Sequence, residues 1–133
     1  MRARIEAERI VVEERPLPVG VQGVSLGGTI FIRPGLDSRN RLAVLLHELA
    51  HELAHRGDAQ RTKPVALREL EAESTAYVVG ATLGLEVPHS ADYLLGYGMD
   101  AAALRASLGT VQALVRRVLA IVNEPAQEGQ VAA

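Results

Sequence analysis

The stretch LAVLLHELAHELAHRGD, residues 42–58, holds histidines at four-residue intervals, His47, His51 and His55, and a glutamate directly after each of the first two, Glu48 and Glu52. On a helix, positions four apart lie about 40° apart around the axis and about 6 Å apart along it, so two imidazoles can close on one ion. Zinc takes such nitrogens at about 2.0–2.1 Å, and a glutamate following the first histidine stands where it can take a proton from a water on the metal. His47 and His55 would be about 12 Å apart along the axis, too far to share an ion. Only one of the two overlapping HELAH copies can therefore be a metal site. The first lies in mid-helix behind the apolar run LAVLL; the second runs into Arg56, Gly57 and Asp58, at a helix end expected to fray. Rigidity selects His47 and His51 as ligands and Glu48 as the general base, with His55 a bystander.

A hydrolytic zinc site needs three protein ligands and one open position. With no cysteine in the chain, the third must be a histidine or a carboxylate, and RELEAES, residues 68–74, offers Glu69, Glu71 and Glu73. Helical phase separates them. Val65, Glu69, Ala72, Ala76, Val79 and Leu83 share one stripe, so Glu69 is a lone carboxylate on a face otherwise built for burial, where an unpartnered charge would be costly. Glu71 lies about 200° from Glu69 and is expected to face solvent, as acidic residues near a helix start commonly do. Glu73, one turn after Glu69, is placed to hydrogen-bond a metal-binding imidazole from behind. This phase favours Glu69 as the ligand and leaves Glu71 and Glu73 as alternatives.

These residues need two helices and a wall. Asp37 or Ser38 is the expected N-cap of a helix that runs to Arg56, with Gly57 ending it. Pro64 suits the first turn of a second helix reaching about Leu83, where Gly84 can stop it. Ahead of them, ERIVVEE (8–14), VQGVSL and TIFIRP read as strands, the last two joined through Gly27-Gly28 in a hairpin turn. A last helix over about 101–122 carries Leu104, Leu108, Val111, Leu114 or Val115, Val118 and Val122 at three- and four-residue spacing. DYLLGYG reads as a short helical or turn segment. The pattern gives no assignment for residues 1–7.

The 133 residues fit one domain, over 1–124, with a flexible tail at 125–133. Apolar residues make up 48% and charged ones 23%, which excludes a disordered or fibrous chain, and the net charge of −2 argues against a nucleic-acid surface. No apolar run is long enough to span a bilayer, and MRARIEAERI lacks the apolar core of a signal peptide, so no membrane and a cytoplasmic location are expected.

HELAH followed by ELEAESTAYVVG resembles the ImmA/IrrE family of zinc metallopeptidases, and GGTIFIRPGLDSRNRLAVLLHELAH is similar to the strand and helix that enter the active site there. The second half, ADYLLGYG with the final helix, is similar to the metallopeptidase domain of ArdC-type antirestriction proteins. The resemblance implies an α+β, zincin-like fold of the gluzincin kind: a short twisted sheet on the HExxH helix, a second Glu-bearing helix beside it, and a C-terminal helix. Gluzincins of this sort use Glu-x-x-Ala-Asp, with the glutamate on zinc and the acid behind a ligand. Glu69, Ala72 and Glu73 match that register, with Glu in place of Asp. The implied activity is zinc-dependent endopeptidase cleavage of a specific protein, such as a transcriptional repressor. Its alternative is a non-catalytic zinc-containing regulator that binds a repressor or restriction component without cutting it. For a peptidase, strand 29–33 could align an extended substrate by edge pairing, and Tyr77, Tyr93 and Tyr97 are candidates for an oxyanion donor, although aromatic residues are more often core or rim. His89 reads as surface.

Overall fold

The computed structural model describes residues 2–54, 63–84 and 101–122. Over these the chain is a small α+β fold with the order α1 (Arg2–Ala7), β1 (Val11–Glu14), β2 (Gly23–Ser25), β3 (Thr29–Ile32), α2 (Ser38–Ala54), α3 (Val65–Thr82) and α4 (Ala101–Val122). Among the described residues no helix is long and apolar enough to cross a membrane. DYLLGYG, His55, His89, Tyr93, Tyr97 and the 125–133 tail lie outside the described residues.

The unassigned N-terminus is a helix. Its one large apolar side chain, Ile5, is fully buried together with Ile10. Arg9, at φ 62°, ends the helix, with Glu8 N–H donating to the Ile5 carbonyl and Arg9 N–H to the Glu6 carbonyl. The first strand therefore starts at Val11 and not at residue 8. The hairpin forms where the two glycines stand: Leu26 N–H donates to the Thr29 carbonyl, and Gly27 and Gly28 take the positive φ values of 61° and 110° that glycine adopts freely.

The sheet order is β1-β3-β2. β3 pairs antiparallel with β2, Val24 opposite Phe31, and parallel with β1, Val12 opposite Ile30. The 29–33 strand is thus central, and its use as an edge for substrate is ruled out because both of its sides are already paired. The guanidinium of Arg33 fixes the lead-in to β2 by donating to the carbonyls of Leu17, Pro18 and Val21.

Asp37 caps α2: its Oδ1 accepts the Asn40 N–H at 2.8 Å, which also holds its carboxyl below the usual range. The helix lays Leu45, Leu46 and Leu49 on Ile30 and Ile32 of the sheet, and Val79, Val118 and Ile121 complete the core. Each fully buried side chain of this kind contributes about 1.5–3 kcal/mol. α3 packs against α2 on one side and α4 on the other. Ala72 and Ala76, both fully buried, suit close helix approach. Val65, at the start of its stripe, is exposed. In α4 the buried line is Ser107, Val111, Leu114, Val118 and Ile121; Leu108, expected to be buried, is exposed.

Candidate metal centre

α2 and α3 bring four of the anticipated residues to one place. His47 Nε2 and His51 Nε2 lie 3.2 Å apart. Glu69 reaches across from α3, with Oε2 3.0 Å from His47 Nε2 and Oε1 3.2 Å from His51 Nε2. Ligand bonds of 2.0–2.1 Å in a tetrahedron set donor atoms about 3.3 Å apart, and the contact between the two nitrogens and that of each nitrogen with its own Glu69 oxygen are all close to this length. Glu69 Oε2 is buried and accepts no well-formed hydrogen bond, although His47 Nε2 is close. A buried carboxylate oxygen whose one close polar neighbour is a ring nitrogen suits a cation. His47, His51 and Glu69 each offer one ligand atom, all within 4.8 Å of one another, and this donor set of imidazole and carboxylate suits zinc.

Glu73 stands behind His47, its Oε2 2.7 Å from Nδ1. A carboxylate there takes the Nδ1–H and leaves the Nε2 lone pair facing Glu69 and His51. Burial opposes a charge on His47, but the carboxylates of Glu69 and Glu73, with Glu48, outweigh it and raise its pKa from 6.5 to about 10. Burial also works against the charge on Glu69, and the two histidines overcome it, holding Glu69 far below the usual carboxylate range.

Glu48 is raised. Burial is the main cause, opposed by His47 and His51 and aided by the charges of Glu69 and Glu52. Its other neighbour is the strand: a Cβ built on Gly23 of β2 would overlap Val44 Cγ1 and stand 3.2 Å from Glu48 Cγ. The glycine is what lets β2 lie directly on the α2 face that carries Glu48.

Two acidic residues differ from expectation. Glu71 is only 2% exposed, with both oxygens 3.1 Å from Nζ of Lys63, the one lysine of the chain. It does not face solvent, and it stands apart from the His–His–Glu cluster. Glu52, left without a role by the sequence reading, is 2% exposed and accepts from Ser25 Oγ, from Gly27 N–H at 3.0 Å and from Gly28 N–H at 2.6 Å. The signal for it was present: Glu52 is one turn from Glu48, Ser25 is one strand repeat from Gly23, and the two pairs face each other. Tyr77, one turn beyond Glu73 on α3, is half exposed.

Comparison of the chain with protein-family models, with curated proteins and with solved structures finds no match.

Proposed function

We propose that the chain is a zinc-dependent endopeptidase of the ImmA/IrrE type, with a zincin-like arrangement of its sheet and helices, cleaving a specific protein such as a transcriptional repressor. The observation that carries this reading is the convergence of His47 Nε2, His51 Nε2 and the Glu69 carboxylate, the two nitrogens 3.2 Å apart and each within 3.0–3.2 Å of one Glu69 oxygen, beside the buried Glu48. His47, His51 and Glu69 would hold the metal. Zinc bound there supplies Lewis acidity, polarising the scissile carbonyl and acidifying the attacking water.

The chain's own residues divide the remaining work. Glu73 fixes the tautomer and orientation of His47 through Nδ1. Glu48 accepts the proton of the attacking water and returns it to the leaving amine, and a carboxyl raised by burial is better matched to both halves of that task than an ordinary one. The substrate is aligned by β2, an outer strand of the sheet, and not by β3. Gln22 and Leu26 bond to β3, so by antiparallel alternation the backbone groups of Gly23 and Ser25 turn the other way. An extended peptide paired along that side runs past Glu48.

Glu48→Gln tests the mechanism. It should keep its zinc and lose peptide hydrolysis by at least about a hundredfold; a variant that cleaves as the wild type does overturns it. A bound protein partner left uncut by the wild type, with a fourth residue closing the coordination, would favour the non-catalytic regulator instead.

A further inference from the structure

The doubled motif places two glutamates on one face of α2, Glu48 and Glu52, about 6 Å apart along the axis. Opposite them lie two residues of one face of β2, Gly23 and Ser25, about 7 Å apart along the strand. The spacings match, so helix and strand meet residue for residue, and the strand residues decide what each carboxylate does. Glu48 faces a glycine, which offers no side-chain donor. Glu52 faces a serine followed by the Gly27-Gly28 turn, whose hydroxyl and two amides all donate to it. Adjacent amides of a glycine turn, both at positive φ, form a concave donor set of the kind that takes up anions, and here the anion is the chain's own carboxylate.

We infer that Glu52 is a positioning residue: its carboxylate clamps the β2–β3 turn to α2 and so holds β2, the strand that aligns the peptide, at a fixed distance from Glu48. Glu52 acts through the strand and does not touch the reacting atoms. The second HELAH copy is thus a used element, its glutamate serving the strand while the first serves the reaction. The strand half of this inference rests on the peptidase reading above; the clamp itself does not.

Two probes on the zinc-loaded full chain separate the halves. Acetohydroxamate reaches only the metal, whereas a tripeptide hydroxamate also lies along β2. Glu52→Ala should keep zinc, bind acetohydroxamate within about twofold of wild type, and lose about tenfold in affinity for the tripeptide hydroxamate, because the strand must then be ordered on binding. Ser25→Ala, which removes one of three donors and leaves the turn glycines intact, should lose about threefold on the tripeptide probe alone and serves if Glu52→Ala does not fold. Amide hydrogen exchange reads the clamp directly: relative to wild type, Gly27 and Gly28 should exchange at least about tenfold faster in Glu52→Ala, which removes their acceptor, and about threefold faster in Ser25→Ala. Unchanged exchange at these two amides overturns the clamp. Faster exchange with equal loss of both hydroxamates, or of neither, overturns the positioning role. A wild type that takes up neither zinc nor hydroxamate removes the peptidase reading, and the exchange comparison still decides on the clamp.

Discussion

Zinc binding by this chain should compete with one proton, on His47, and the competition should be set by Glu73. In the metal-free chain His47 holds its proton up to a pH of about 10 because Glu69 and Glu73 are held against its two nitrogens. Zinc needs the Nε2 lone pair, so binding at pH 7 must displace a proton held about three units above the ambient pH. That costs about 4 kcal/mol, a factor of roughly a thousand in affinity. Glu69 takes no part in the competition, since its carboxyl is ionised throughout this range. The apparent affinity should therefore climb about tenfold per pH unit from pH 7 to 9. In the zinc-free chain the same linkage has the opposite sign. The stability contributed by His47 is full below pH 6.5 and is lost as the pH rises toward about 10.

Glu73→Gln removes one of the two anions and should lower the His47 pKa by about one to three units. The zinc affinity of the variant should then level off within the pH 7–9 window while that of the wild type still rises. At pH 9 the variant should be about 10–100-fold weaker, because the imidazole has lost the carboxylate that oriented it. Titration against a chelator of known affinity, at constant ionic strength and at several pH values, measures both quantities. A wild-type affinity that is flat from pH 7 to 9, or a variant curve parallel to the wild type, refutes the reasoning.

Two further substitutions test the packing that positions the site. Gly23→Ala forces a methyl into Val44 and toward Glu48, and should cost about 1–3 kcal/mol in urea unfolding while lowering turnover more than zinc content. Lys63→Met withdraws the ammonium from the buried Glu71 and should cost about 2 kcal/mol, of which the double variant Lys63→Met, Glu71→Met recovers most; a single variant as stable as wild type would show that the pair does not hold the start of α3.

What was legible in the sequence is what local periodicity carries. That His47 and His51 can meet, and the placing of Glu69 and Glu73 on one face of α3, follow from 3.6-residue spacing alone, and the two glutamates do meet His47 on its opposite nitrogens. The Gly27-Gly28 hairpin and the Asp37 cap are likewise local. Tertiary placement was not legible. The parallel pairing of 11–14 with 29–32 joins segments whose order in the sheet no local pattern records, so local pattern does not show that β3 is the centre and not an edge. Phase predicted which face of α3 meets α2, but not that Glu71, off that face, is buried with the Lys63 ammonium on it. The short α1 offered too few apolar positions to show a period, with Ile5 its one large apolar anchor. The role of Glu52 depends on the β2–β3 turn that meets it across the fold, which helical spacing within α2 does not record.

The central claim is that one zinc is held by His47, His51 and Glu69, and metal content per chain tests it most directly. Elemental analysis should find one zinc per chain in wild type, Glu48→Gln and His55→Ala, and a loss of at least about tenfold in affinity in His47→Ala, His51→Ala and Glu69→Ala. Full zinc retained by Glu69→Ala, or zinc lost on His55→Ala and kept on His47→Ala, would contradict it.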